Sequence, residues 1–163
     1  MGKQEKVYDK LDEMGIFYEV QEHPPVYTID EMDELGIGDE KSVVVKNLFL
    51  RDNKGKRHFL VVLGKDKKAD LKSLKEKIDS KPLSFASEER LGKYLGLTKG
   101  AVSPMGIIND VDQAVEVVMD EDLVDHPRLG VHPNENTATI WLAYSDLKRI
   151  IEENGNQIHY IKI

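Results

Sequence analysis

Two side chains in the run Ser42-Val43-Val44-Val45-Lys46-Asn47-Leu48-Phe49-Leu50 stand apart from their neighbours. Three valines and a Leu-Phe-Leu triplet suit a strand buried on both faces, yet Lys46 and Asn47 place an ammonium and an amide in its middle. A buried ammonium is costly without a partner. Either Lys46 snorkels at a sheet edge or pairs with a carboxylate, or the strand delivers both groups into a cleft. A second candidate is Gly100-Ala101-Val102-Ser103-Pro104-Met105-Gly106. Glycines let backbone approach a ligand and proline stiffens the turn, so amide N–H groups could converge on an oxyanion or a carbonyl oxygen. The same composition also serves a plain connecting loop. His132, between Gly130 and Pro133, is open in the same way between a ligand-facing histidine and a turn residue.

Other chemistries find little support. Cysteine is absent, which removes disulfides, thiolate metal sites and thiol nucleophiles together. The run from Gly36 to Ser42 resembles a phosphate loop only superficially, because Glu40 stands where glycine should precede the lysine. Five histidines form no His-x-x-x-His pair, and Asp122, Asp125, His126 and His132 cluster only loosely, so no metal and no cofactor is expected. Ser103 lacks the Gly-x-Ser-x-Gly elbow of a triad hydrolase.

The elements that must position these groups follow from periodicity. Val7, Leu11 and Met14 predict a first amphipathic helix stopped by Gly15. Residues 17–20 predict a strand that runs into His23-Pro24-Pro25. Thr28 and Glu31 have the form of a capping box for a short helix ending at Gly36. Asp52-Asn53-Lys54-Gly55-Lys56 predicts a hairpin that pairs the Lys46 strand antiparallel with residues 59–63. Asp70 caps a helix with Leu71, Leu74 and Ile78 inward, and Ser87 opens another that ends at Gly96. Strands are expected over 115–119, 137–142 and 158–163, with a turn-rich segment over 130–136 and a last helix capped by Ser145. Strands and helices mix without a strict βαβ rhythm, which predicts an α+β fold with a mixed, largely antiparallel sheet and flanking helices.

Residues 1–163 are expected to form a single domain, because no Pro/Gly/Ser-rich linker divides them. Hydrophobic residues make up 40% and charged residues 33%, and no apolar run approaches the roughly 20 residues of a membrane span. With no apolar signal core near Met1, a cytoplasmic protein is expected. A net charge of −7 argues against broad binding to DNA or other nucleic acid, although a local basic patch stays open. The one concentrated basic region runs from Lys65 to Lys77, either as an ordinary solvated helix face or as such a patch.

Together, Val45-Lys46-Asn47-Leu48-Phe49-Leu50, Gly100-Ala101-Val102-Ser103-Pro104 with Gly106-Ile107-Ile108-Asn109-Asp110, and His132 to Thr139 resemble the YbaK/ProX family of aminoacyl-tRNA editing domains. Within it the chain is most similar to the free-standing alanyl-tRNA(Pro) deacylases. The resemblance covers almost the whole chain, including His23-Pro24-Pro25-Val26-Tyr27-Thr28, while Met105 stands where many relatives carry an aromatic residue. It implies hydrolysis of the ester that joins a wrongly attached alanine to proline tRNA. It implies also that Lys46 and Asn47 contact the terminal nucleotide or the ester, and that His132 shapes a small amino-acid pocket. The loop residues Gly100, Ala101, Ser103 and Pro104 are expected to orient the ester carbonyl, with Tyr27, Thr28 and Asn136 as further substrate contacts. Lys72 and Lys75 are candidates for the acceptor stem. The implied partners are mischarged proline tRNA and prolyl-tRNA synthetase. A cysteinyl-tRNA(Pro) deacylase and a non-catalytic tRNA-binding or synthetase-associated module are the alternatives.

Overall fold

The computed structural model of the chain describes residues 2–26, 28–37 and 41–163. Its centre is the predicted hairpin. Strand β2 (Val43–Asp52) runs antiparallel to β3 (His58–Gly64), with Lys46 opposite Leu63 and Asn47 opposite Val62. The turn is closed by Asp52, which is buried and accepts from the N–H groups of Lys56 (2.9 Å) and Arg57 (3.3 Å). Burial pushes the Asp52 carboxyl up, but backbone hydrogen bonds from Lys56, Arg57 and Gly55 outweigh it and hold the group below the usual carboxylate range. Gly55 supplies the positive φ of 67°.

Around the hairpin the sheet is mixed, as expected. On the β3 side, β5 (Val115–Asp120) runs parallel to β3 and β8 (Ile158–Ile161) parallel to β5. On the β2 side, β6 (Leu129–Val131) runs parallel to the first residues of β2. Then β7 (Ala138–Leu142) pairs with β6, and β1 (Glu19–Glu22) with β7, both antiparallel. A short β4 (Leu83–Phe85) pairs with the far end of β2, Leu50 to Asp52. The outer edge of β2 is therefore covered at both ends by different strands, and among the described residues no strand pairs with it between Val45 and Phe49.

Helices cover both faces. On one, α1 (Lys3–Glu13), α4 (Glu88–Leu95) and α5 (Tyr144–Asn154) bring Leu11, Leu95, Leu147 and Ile150 onto Leu60, Val62 and Val117. On the other, α3 (Leu71–Lys77) sets Leu74 and the following Ile78 against Leu50, Phe59, Val61 and Leu63. Burying each such side chain contributes about 1.5–3 kcal/mol, so these contacts fix the hairpin firmly. A separate cluster of Val26, Met32, Ile37, Val44 and Trp141 holds the short α2 (Ile29–Glu34) beside the start of β2. Among the described residues no helix is long and apolar enough to cross a membrane.

Three local expectations change. The last helix starts at Tyr144 with Ala143 at its N-cap position and no side-chain cap, so Ser145 lies inside its first turn. Gly130 and Val131, read as the start of a turn-rich segment, join Leu129 in β6; Gly130 serves a close packing contact there, not a turn. Pro104–Asn109 forms 3₁₀ turns instead of an open loop, because Ser103 accepts from the Met105 N–H (3.1 Å) and Pro104 fits the first helical position.

Candidate active site

A cavity of about 260 Å³ opens at the uncovered stretch of the β2 edge. Thr28, Lys46, Asn47, Gly100 and His132 line it, with Val26, Met32, Val45, Leu48 and Val102 as its apolar walls. Lys46 and Asn47 are consecutive strand residues and point to opposite faces of the sheet. Both reach the cavity because it lies beside the strand, not above one face.

The backbone of β2 also faces the cavity. Val44 O accepts from Lys65 N and Asp52 N donates to Arg57 O, so even-numbered residues direct their main-chain groups toward β3. Val43 N donates to Arg128 O and Phe49 O accepts from Ala86 N on the outer edge. By alternation the main-chain groups of Asn47 point to that outer edge, where no strand takes them.

Among the described residues the Lys46 side chain makes no hydrogen bond and no ion pair. No carboxylate among the described residues pairs with it as a structural role would require, and its ammonium is available to a ligand. Asn47 donates from Nδ2 to the carbonyl of Val102 (3.3 Å), which leaves its buried Oδ1 without a partner. That oxygen is an acceptor waiting for an N–H or O–H donor.

Loop 98–104 is held from several sides. Gly100 has φ of 89°, a left-handed conformation that disfavours any side chain, and Ala101 N donates to Thr98 O (3.1 Å). The Ala101 amide is thus spent and Pro104 has none. Gly100 and Val102, which line the cavity, keep main-chain N–H groups with no partner among the described residues. Ser103 is fully buried; its hydroxyl donates to the carbonyl oxygen of His132 and accepts from Met105 N. It ties the loop to the His132 segment and does not line the cavity, and neither do Ala101 and Pro104, which are buried behind it.

A carbonyl oxygen can only accept, so the 3.0 Å contact of His132 Nδ1 with Ala138 O places the ring proton on Nδ1 and leaves Nε2 as an acceptor. Burial lowers the His132 pKa, the Ala138 contact works against this, and the neighbouring His23 ring lowers it further. The ring is neutral at pH 7.

The remaining sequence candidates fall into three groups. Thr28 lines the cavity, but its hydroxyl caps α2 by accepting from Glu31 N (3.1 Å) and donates to the Glu31 carboxylate (3.3 Å). Asn136 does not line it; Nδ2 donates to Val26 O (2.9 Å) and so positions a wall residue. Lys72 and Lys75 lie on α3 and do not line it either. Tyr27 lies outside the described residues, as do Gly38, Asp39 and Glu40 of the phosphate-loop look-alike. Sequence reasoning missed the wall residues Val26 and Met32, whose apolar types carry no signal beyond burial.

Among the described residues the arrangement sets an unpaired cation, two side-chain acceptors and two residues with unspent amides around a small, partly apolar space. No serine or cysteine among the described residues lines it. Such a site suits attack by water on an activated carbonyl, with positioning and fixed dipoles carrying the catalysis.

The family profile of the aminoacyl-tRNA editing domain matches residues 23–150. The chain is 53% identical over 163 residues to the prolyl-tRNA editing protein ProX of Acetoanaerobium sticklandii, covering 100% of this chain and 99% of that one. It is 35% identical over 134 residues to the prolyl-tRNA synthetase associated domain-containing protein 1 of Danio rerio, covering 81% of this chain and 72% of that one. A crystal structure named as a candidate trans-editing enzyme for prolyl-tRNA synthetase shares the fold, with a TM-score of 0.72 at 21% identity over 100% of this chain and 98% of that one. The chain belongs to the aminoacyl-tRNA editing domain family, and its chemistry is that of an aminoacyl-tRNA deacylase.

Proposed function

We propose that the protein removes wrongly attached alanine from proline tRNA in trans, acting on the released aminoacyl-tRNA in the cytoplasm as one editing domain spanning residues 1–163. The observation that carries this reading is the unpaired Lys46 ammonium, set beside the unpartnered Asn47 Oδ1 and the unspent amides of Gly100 and Val102 in one small cavity. The similar protein named as a prolyl-tRNA editing protein supports the choice of tRNA.

In this mechanism the ester carbonyl oxygen accepts from the N–H groups of Gly100 and Val102, which stabilise the negative charge that develops as water attacks. Lys46 holds the phosphate of the terminal nucleotide as a point charge. The acceptors Asn47 Oδ1 and His132 Nε2 receive the α-amino group and a ribose hydroxyl. The vicinal ribose hydroxyl of the substrate places the attacking water. The acyl C–O bond breaks, the ribose oxygen takes a proton, and free amino acid leaves.

Selection follows from a limit on the synthetic site: a pocket for proline rejects smaller alanine poorly, since a methylene is worth only about 1–3 kcal/mol. In this reading the pocket, walled by Val26, Met32, Val45 and Val102, is the second site that admits alanine and excludes the proline ring. Prolyl-tRNA synthetase is the protein partner to test, because relatives are named as its associated domains.

The test is to incubate the protein with alanyl-, cysteinyl- and prolyl-tRNA(Pro) and follow each ester. Loss of alanine well above the spontaneous rate, with prolyl-tRNA intact, is expected. Preferential loss of cysteine replaces alanine as the substrate, and tight binding without turnover of any ester overturns the enzymatic reading.

A further inference from the structure

The loop that walls the first cavity also walls a second, of about 250 Å³, on its other side. Gly100 and Val102 face the first, whereas Thr98, Lys99 and Ala101 line the second. The two spaces are also joined through Asn136, which lines the second and holds Val26 of the first by its 2.9 Å bond to the Val26 carbonyl. A ligand seated in one therefore lies one loop away from the other.

The second cavity differs in chemistry from the first. Its lining is polar: Lys3, Thr98, Lys99, Asn134, Glu135 and Asn136. Lys3 and Lys99 both line it, and among the described residues neither side chain makes a hydrogen bond or ion pair, so no counter-charge is bound to either lysine. Asn134 is only 1% exposed, and its Nδ2 donates to the carbonyl of Met105 (3.4 Å). This contact orients the amide, and its Oδ1 has no partner. A buried acceptor left unpaired beside a polar cavity is the mark of a missing donor.

A ligand that satisfies these groups carries an anion for the lysines and an N–H or O–H donor for Asn134. A bare anion meets only the first requirement, and a neutral sugar meets only the second; the Glu135 carboxylate opposes any anion there and is offset by the two lysines. A nucleotide within an RNA strand meets both, with a singly charged phosphodiester beside an amino group and a ribose hydroxyl. We propose that this cavity binds the nucleotide preceding the esterified one at the 3′ end of the tRNA. The loop Gly100–Pro104 then separates two successive nucleotides, and occupation of the second cavity holds the loop against the ester. This assignment rests on the proposed function, since it takes the esterified nucleotide to occupy the first cavity.

Two substrates separate the sites: alanyl-tRNA(Pro), and 3′-O-alanyl-adenosine, which lacks the preceding nucleotide. Two variants empty the second cavity of its groups: Lys3→Ala with Lys99→Ala, and Asn134→Gly, in which glycine retains the positive φ of 64°. On alanyl-tRNA both variants raise KM about tenfold with kcat nearly unchanged, and the double variant reduces the slope of log K against log salt by about 1.4. On alanyl-adenosine both match wild type. Equal losses on the two substrates, or no loss on alanyl-tRNA, overturn the proposal. If wild type hydrolyses neither substrate, the proposed function fails, and binding still decides the cavity. Titration with the trinucleotide CCA shifts the Asn134 side-chain amide signal in NMR spectra, and adenosine or inorganic phosphate alone does not. Absence of the CCA shift, or the same shift with phosphate alone, overturns it.

Discussion

The side-chain amide of Asn47 donates to the carbonyl oxygen of Val102 across 3.3 Å and ties the open edge of β2 to the loop that carries the candidate donors. Asn47→Asp keeps the shape of the side chain but turns this donor into a charged acceptor facing a carbonyl. The loop must then move away. Turnover of alanyl-tRNA is expected to fall about 100-fold, the scale of a 1 Å misplacement. Asn47→Ala, which removes the tie without repulsion, falls less and loses about 1 kcal/mol of stability. Steady-state kinetics and thermal melts of the two variants check this order, and an Asp variant as active as wild type refutes the positioning role.

Among the described residues the Lys46 side chain has no partner to lose, which separates its two readings. Lys46→Ala is expected to abolish most deacylation while stability stays within about 0.5 kcal/mol of wild type, a Tm change of about 1–2 °C. Had the lysine belonged to a buried ion pair, its removal would cost about 3–5 kcal/mol. Lys46→Arg keeps the charge but not its compact shape, and restores only part of the rate.

The sequence reveals the hairpin because both of its signals are local: turn residues from Asp52 to Lys56 and apolar runs on either side. The sheet around it is less legible. β4 has only three residues, of which Phe85 is exposed, so no periodicity marks it. β6 is masked by Gly130, Pro133 and Asn134, which look like turn residues although Gly130 is needed only where Trp141 packs against it. Within the site, Lys46 and Asn47 are visible as polar groups in an apolar strand. Ser103 looks chemical because hydroxyls serve both chemistry and capping; a serine followed by proline at a helix start was the signal for capping. His132 carries no local signal, since its Ala138 partner is set by the pairing of β6 with β7.

Acid sensitivity follows from two histidines whose pKa lies below the ordinary 6.5. Burial is the main cause in both, reinforced at His58 by Arg90, whose guanidinium donates to Nε2 at 2.9 Å. Just below pH 6.5 the unfolded chain binds more protons at these positions than the folded one, so stability rises with pH through that window. It is fully present above 6.5 and is lost as pH falls through the depressed values. Melts at pH 7 and pH 5 are expected to show a smaller drop for His132→Gln and for His58→Gln than for wild type. Only His132 lines the cavity, so only its replacement is expected to change the acid limb of kcat/KM. An acid limb unchanged in His132→Gln rules out this histidine as its origin.

Gly130 tests how closely the cavity wall depends on the single tryptophan. A Cβ there would lie 2.6 Å from Cζ3 and 2.9 Å from Cη2 of Trp141, and 3.1 Å from Cγ2 of Thr139. The indole cannot easily move: Nε1 donates to Gln21 Oε1 (3.3 Å), and the Arg128 guanidinium lies 4.8 Å from the ring. Gly130→Ala is therefore expected to cost about 1–3 kcal/mol, a Tm lower by about 2–12 °C, with a shift in tryptophan emission. Because Trp141 packs with Val26 and Met32, which wall the cavity, KM for alanyl-tRNA is expected to rise as well. Gly64→Ala is the control. Its Cβ meets only Val43 Cγ1 at an ordinary 3.6 Å, so stability and KM are expected to stay at wild-type values; a loss equal to that of Gly130→Ala would assign the effect to glycine replacement in strands generally.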